Sequence, residues 1–257
     1  MTTFVSVEEA RTRSGLRLSV VGGVPSPWSE AAKGILRVKG LPYVAVRQAP
    51  GDRALEEWTG EQSAPVAMYD DEKPRSGWAE ILLLAERLSP EPALIPRDAS
   101  QRALCFGLAH EICGEMGLAW SRRLVGLHDG YETNGEKGFP VPVADYLAPK
   151  YGFRAGGGAE ARRRVVEVLG LLANRLHAQR DAGSGYYLGD GLTAVDIYSA
   201  TFLVMFSPLD ERRCPMPEML RTVFEQMDDT TREALDPVLL QHRDRIYEQY
   251  LELPVEL

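Results

Sequence analysis

Long hydrophobic runs are missing from this chain of 257 residues. No apolar stretch approaches the roughly 18 residues that a membrane-spanning helix needs, so no membrane span is expected. Cysteine is scarce: Cys105, Cys113 and Cys214 are odd in number and widely spaced, which argues against a disulfide framework or a zinc ribbon and predicts buried, reduced thiols. Cys105 and Cys113 stand eight apart in a helical stretch, about two turns, and are expected to pack as small apolar groups on a similar face. The four histidines, His110, His128, His177 and His242, show no His-x-x-x-His spacing, and no metal site is expected. No Lys/Arg cluster stands out against a net charge of −8, which disfavours nucleic-acid binding. The first residues lack a basic start followed by an apolar segment, so a cytoplasmic location is expected.

What is present is ordinary globular composition, 44% apolar and 26% charged, in a chain long enough for one large domain or two small ones. The first 90 residues alternate strand and helix signals. Leu16 to Val21 reads as a strand ending at Gly22-Gly23, and a helix follows with Ser26 as its cap, Pro27 in its first turn and Gly40 as its stop. Residues 43–47 read as a second strand, giving a strand-helix-strand unit with a right-handed crossover. A short helix over 54–59, a strand over 64–69, an edge segment at Pro74-Arg75 and a helix over 76–88 complete an α/β half. Three prolines between Pro90 and Pro96 mark a stiff linker. Helices are then expected over 103–127, 159–179, 193–206, 217–227 and 230–251. Residues 126–158 are rich in glycine and proline and read as a surface excursion, with a lid over a ligand cleft as the alternative. His242-Arg243-Asp244-Arg245 reads as a solvated or salt-bridged helix face.

Gly189-Asp190-Gly191-Leu192-Thr193-Ala194-Val195-Asp196-Ile197 spells a helix start. The Thr193 hydroxyl is placed to accept from the Asp196 N–H, the Asp196 carboxylate to accept from the Thr193 N–H, and Leu192 to staple onto Ile197. This Gly-Asp-x-x-Thr-x-x-Asp-Ile pattern, about three quarters of the way along the chain, resembles the folding motif of the sixth helix of soluble glutathione S-transferases. Ser26-Pro27-Trp28-Ser29 and Lys39-Gly40-Leu41-Pro42-Tyr43 resemble the first helix of the serine-type zeta, theta and tau classes. The resemblance implies a thioredoxin-like domain over 16–89, preceded by an extension over 1–15, joined by a linker over 90–98 to an all-helical domain over 99–257. It also implies a homodimer.

The same resemblance puts Ser26 on the family's catalytic serine. A hydroxyl at the positive end of a helix can donate to the sulfur of glutathione, and dipole and donor together favour thiolate over thiol. With no cysteine between positions 24 and 31, disulfide-exchange chemistry is disfavoured. The stretch from Trp58 to Val66 resembles the approach to the family's cis-proline, which makes Pro65 the candidate, with the backbone of Ala64 available to pair with the cysteinyl unit. Trp28, Ser63, Ala64, Pro65, Ser76 and Gly77 are the implied glutathione contacts. Ser76-Gly77 stands where the family has Glu-Ser or Gln-Ser, so the acid that would meet the γ-glutamyl ammonium is missing there; Ser76 and helix-start N–H groups are left for the carboxylate, and a one-residue gap would align Arg75-Ser76 instead. Trp78 is expected in a core or interface, Glu80 in solvent or at a dimer contact, and Tyr131, Tyr146 and Tyr151 in or beside the excursion. The implied activity is attack of the glutathione thiol on a small hydrophobic electrophile, by conjugation, isomerisation or reductive cleavage, in a detoxifying role. The alternatives are a ligand-binding or scaffold protein with a degenerate glutathione site and an assembly module using the helical cleft.

Overall fold

Strand β2 (Leu16–Val21) is the spine of the N-terminal half, because both of its faces are buried: Leu16, Leu18 and Val20 on one, Arg17 and Ser19 on the other. The computed structural model describes residues 2–257. The remaining elements of this half are β1 (Thr3–Phe4), α1 (Val7–Thr12), α2 (Pro27–Val38), β3 (Tyr43–Gln48), α3 (Arg53–Thr59), β4 (Val66–Tyr69) and α4 (Trp78–Leu88). The sheet runs in the order β1-β3-β2-β4. β2 and β3 are parallel in the register Leu18↔Ala45, as the crossover through α2 requires, and β4 is antiparallel to β2 with Ser19↔Val66. Arg17 is kept in the sheet by donating to the carbonyls of Gly15 (2.7 Å) and Asp70 (2.9 Å) while its guanidinium lies over Trp58.

The first 15 residues are part of this half rather than an appendage. β1 pairs in parallel with β3, and α1 lays the fully buried Ala10 against Val46 and Leu55. Such a short strand carries too little hydrophobic alternation to be read from sequence.

The C-terminal half is helical: α5 (Ala99–Cys113), α6 (Leu118–Glu132), α7 (Val141–Leu147), α8 (Gly158–Asp181), α9 (Ala194–Leu203), α10 (Glu218–Glu225), α11 (Asp229–Ala234) and α12 (Pro237–Tyr250). Two expected helices are each divided. The stretch over 103–127 breaks between α5 and α6, where Met116 adopts a left-handed φ of 60° and a Cβ on Gly117 would lie 2.7 Å from the Glu111 carbonyl. The stretch over 230–251 breaks at Asp236-Pro237, because proline cannot continue a helix and Asp236 caps the next one by accepting from Val238 N–H at 2.8 Å. The excursion over 126–158 contains the end of α6, all of α7 and the buried side chains of Phe139 and Tyr151; the Phe139 N–H donates back to the Gly126 carbonyl, and the Gly138 N–H ties it to the body by donating to Gln226 Oε1 at 2.8 Å. Tyr131 and Tyr146 remain exposed. All three cysteines are free and buried.

Helix α9 is buried along all ten residues and packs on α2, α5 and α12. Side chains such as Phe202 and Tyr198 each contribute roughly 1.5–3 kcal/mol by leaving water. Its start differs from the expected capping box in one half. The Asp196 carboxylate accepts from the Thr193 N–H at 2.8 Å, but the Thr193 hydroxyl donates to that same carboxylate at 2.9 Å instead of accepting from the Asp196 N–H. The other carboxylate oxygen accepts from Tyr187 N–H (3.0 Å) and from His242 Nε2 (2.9 Å). His242 and Arg243 are therefore buried, not a solvated face; His242 is 2% exposed, and Arg243 donates to the Ser207 carbonyl. His242 Nε2 must carry hydrogen, since a carboxylate only accepts.

The linker is stitched down. Buried Lys39 donates to the carbonyls of Pro92 (2.8 Å) and Pro90 (3.3 Å) and pairs with Glu86 at 2.6 Å. Glu86 also accepts from Leu94 N–H, and the Leu94 carbonyl accepts from Ala194 N–H, the first residue of α9, both at 2.9 Å. The C-terminal segment then folds back over α2. Leu251 sits against Gly34, where a Cβ would lie 2.7 Å from its Cδ2; Lys33 donates to the Glu256 carbonyl and Arg47 to the Leu257 carbonyl. Glu30, paired with Lys33 at 2.9 Å, lies beneath this segment, and burial pushes its carboxyl up to about 7 against the opposing pull of Lys33.

Asp196→Asn removes two of the accepting positions that four donors share. It is expected to lower stability by about 3 kcal/mol or more, read from the urea midpoint at unchanged slope. Thr193→Val should lose only about 1 kcal/mol. For Glu30, the folded state holds the proton more tightly than the unfolded chain, so its contribution is fully present below about pH 4.5 and is lost as pH rises through about 7. Glu30→Gln is expected to flatten that part of the decline in stability between pH 5 and 8, at most about 1.4 kcal/mol per pH unit, in urea titrations across that range.

Candidate functional site

One end of the sheet gathers most of the expected site residues. β2 ends at Val21, and the chain turns through Gly22-Gly23 to Ser26 at the N-cap of α2. The turn is fixed from two sides: Val21 N–H donates to Ser29 Oγ at 3.2 Å, and Ser26 N–H to the Val24 carbonyl at 2.8 Å. Ser26 is 7% exposed and its backbone carbonyl accepts from Glu30, as an N-cap requires. Its hydroxyl makes no capping bond to its own helix. Pro27 has no N–H, so the positive end of the α2 dipole is carried by the N–H groups that follow, beside that hydroxyl.

β4 starts at the same end. Its first residue, Val66, pairs with Ser19 near the C-terminus of β2 and donates its N–H to Ser19 Oγ at 3.0 Å. The preceding bond, Ala64–Pro65, is cis. Pro65 is buried, while Ser63 and Ala64 are half-buried. Arg75 bridges back to Ala67 with both backbone bonds made, at 2.8 and 2.9 Å. That antiparallel step carries Ser76 and Gly77 alongside the entrance of β4, with Gly77 as the N-cap of α4.

The acidic group missing from positions 76 and 77 has a neighbour in space. Ser76 Oγ donates to Glu61 Oε1 at 2.9 Å, so a carboxylate from the stretch before Pro65 lies against the start of α4. Sequence reasoning missed Glu61 because it is fifteen residues away; its place between Gly60, which ends α3 in a left-handed turn, and the Pro65 stretch was the available signal. Glu80 reaches back to the Gly77 N–H at 3.4 Å, half of a capping arrangement, since glycine has no side chain to complete it. Lys73 stands 4.0 Å from the other oxygen of Glu80, and the pair is exposed.

Trp28 turns away from this group. Its single donor, the indole N–H, goes to the Cys113 carbonyl of α5 at 3.0 Å, and its ring meets Phe202 of α9 edge-on at 4.9 Å. Trp78 likewise packs between the halves, edge-on to Tyr198, whose hydroxyl donates to the Trp78 carbonyl. Trp28 and Trp78 therefore set how the helical half sits against the sheet half. Burial pushes the thiol of Cys105 up to about 12 and that of Cys113 well above its ordinary value, which removes both as nucleophiles. Among the described residues no group of three or more His, Cys, Asp or Glu is placed to hold a metal, and no helix is long and apolar enough to cross a membrane.

No protein-family model matches the chain, and no curated protein matches it in sequence. Solved structures do match it. A glutathione S-transferase from Methylobacterium radiotolerans, in complex with glutathione sulfonate, aligns over 92% of both chains at 21% identity with a TM-score of 0.60. One from Methylobacillus flagellatus with glutathione bound aligns over 91% of this chain and 96% of its own at 13% identity, TM-score 0.61. A beta-etherase from Sphingobium aligns over 90% and 99% at 16% identity, TM-score 0.56. The fold is that of the glutathione S-transferases: a thioredoxin-like sheet half followed by a helical half.

Proposed function

We propose that this protein is a glutathione transferase-like enzyme of the serine type. The observation that carries the reading is Ser26: a hydroxyl at the N-terminus of α2, unused for capping its own helix, at the sheet end where the Ala64–Pro65 stretch and the start of α4 also lie. Glutathione would lie across that end. Its cysteinyl backbone would pair with Ala64, its γ-glutamyl carboxylate would meet Ser76 and the α4 N-terminus, and its ammonium would meet Glu61. Ser26 would donate to the sulfur, the thiol proton would leave to solvent, and the thiolate would form a bond to the electrophilic carbon of a small apolar acceptor as the leaving group departs with its electron pair. Loss of each pKa unit from the thiol corresponds to about 1.4 kcal/mol of preference for thiolate.

A second reading, a ligand-binding or scaffold protein with a degenerate glutathione site, is favoured by Glu80, whose carboxylate approaches the Gly77 N–H that a γ-glutamyl carboxylate would use. Thermal denaturation separates the two. Under the enzyme reading, glutathione at about 100 times its dissociation constant stabilises the protein by about 2.7 kcal/mol. Ser26→Ala keeps that stabilisation but raises the pKa of the bound thiol, followed by thiolate absorbance, and lowers turnover at least tenfold; Glu61→Gln weakens binding instead. Absence of any glutathione shift sinks the enzyme reading.

A second copy of the chain is the proposed partner, with the exposed Leu83 of α4 and Leu104 of α5 as the apolar part of the contact. Sedimentation equilibrium is expected to return twice the chain mass for the wild type and a lower average for Leu83→Glu; a monomeric wild type refutes the dimer.

A further inference from the structure

Residues 251–257 leave α12 and cross onto the sheet half, where their polar contacts fall on α2 and at both ends of β3. Leu251 and Val255 are buried, and the Val255 N–H donates to the Arg213 carbonyl at 2.7 Å. At the start of β3, Thr2 Oγ1 donates to Glu252 Oε2 at 2.8 Å and stands 3.1 Å from the Tyr43 hydroxyl. On α2, the Lys33 ammonium donates to the Glu256 carbonyl at 2.7 Å and pairs with Glu30 at 2.9 Å. Near the far end of β3, Arg47 Nε donates to the Leu257 carbonyl at 2.8 Å while its guanidinium lies 3.5 Å from the ring centre of Phe4. Two consecutive carbonyls are thus gripped by one cation from α2 and one from β3. Lys33 is 5% exposed, and a buried ammonium needs its donors met, so the Glu256 carbonyl is a partner that it cannot lose cheaply.

These two cations flank the turn that carries Ser26. In the parallel register Val20 stands opposite Arg47 and Val21 opposite Gln48, so Arg47 lies at the strand end from which the chain turns towards α2. Gly22 lies against it: its N–H donates to the Gln48 carbonyl at 3.1 Å, and a Cβ on Gly22 would come 3.2 Å from that of Arg47. On the other side, Lys33 holds the carboxylate of Glu30, whose N–H donates to the Ser26 carbonyl. Gly23, at the tip, is exposed with a φ of 74°, and nothing beyond its chain neighbours lies within 4 Å of where its Cβ would be. A tip with so little packing of its own takes its position from the elements on either side of it.

We propose that residues 251–257 are a clasp, closed by Lys33 and Arg47, that positions Ser26 by fixing α2 and β3 on the two sides of the Gly22–Val24 turn. Bonds from a charged donor to a carbonyl are the stronger kind, and here two of them act on adjacent residues of one strand of chain. Lys33 and Arg47 are positioning residues: they act through the backbones of Glu30 and Gly22, not on the Ser26 hydroxyl itself. That this placement tunes a glutathione thiol rests on the proposed function; the ordering of the turn does not.

Amide hydrogen exchange, read by mass spectrometry on the full chain without glutathione, tests the clasp. Val255→Asp puts a charge into a buried apolar place and expels the segment; Arg47→Ala removes one grip at an exposed position and leaves Val255 in the core. Exchange over residues 22–26 is expected to quicken about tenfold in Val255→Asp and about threefold in Arg47→Ala, with the middle of α8 unchanged. Arg47→Lys, which keeps a charged donor, should recover part of that change. Unchanged exchange over 22–26 in Arg47→Ala, or an equal acceleration in α8, overturns the proposal. With glutathione bound, Arg47→Ala should raise the thiol pKa by about half a unit, a threefold shift towards thiol, when Ser26 is present and not in the Ser26→Ala background. An equal rise in both backgrounds also overturns it. A wild type that fails to bind glutathione sinks the transferase reading instead, and the exchange rates then decide the clasp alone.

Discussion

A single buried carboxylate, that of Asp196, organises the junction on which both halves depend. Fully removed from water, its oxygens would be costly to hold without compensation, and four donors supply that compensation: the N–H and hydroxyl of Thr193, the N–H of Tyr187, and His242 Nε2. Each comes from a different demand of the fold. Thr193 caps the start of α9, Tyr187 lies midway along the connection from α8, and His242 brings in α12. Satisfying the carboxylate therefore sets three segments at once, and leaves α9 free to present apolar side chains in every direction.

The first turn of α9 also receives the linker. Ala194 N–H, one of the donors that a helix start leaves unpaired, goes to Leu94, whose own N–H is held by Glu86, which in turn pairs with Lys39 at the end of α2. The path runs unbroken from α2 of the sheet half to the central helix of the other. Trp28 adds a second crossing through Cys113, and the C-terminal segment a third through Lys33 and Arg47. Together with the Tyr198 hydroxyl donating to the Trp78 carbonyl, these ties hold the halves in one orientation.

The site end of the sheet is built on ends of elements, not on their middles. Ser26 and Gly77 both cap helix starts, where first-turn N–H groups have no partner within the helix, and Pro65 stands at a strand entrance. Glu61 shows how such a place is completed: a side chain from the segment before Pro65 lies against the serine that precedes α4.

Local chemistry wrote several of these features directly into the chain. Ser-Pro ahead of an apolar period of 3.6, alternation over residues 16–21, glycine at a helix end, and Thr-x-x-Asp at a helix start each have one physical reading, and α2, β2 and the start of α9 stand where those readings put them. The features that depend on contacts between distant residues were not legible. Which oxygen Thr193 would pair with, the burial of His242 within a polar run, the parallel pairing of Thr3–Phe4, the break near Met116 and the approach of Glu61 to Ser76 all depend on what packs nearby. A two-residue strand has no period, and a charged tetrapeptide on a helix looks the same whether it faces water or a buried aspartate. The sequence by itself determined where α2, β2 and α9 begin and that their apolar residues must be hidden. Only the tertiary structure decided which polar groups meet, because hydrogen bonds and desolvation act across space between residues that the chain keeps far apart.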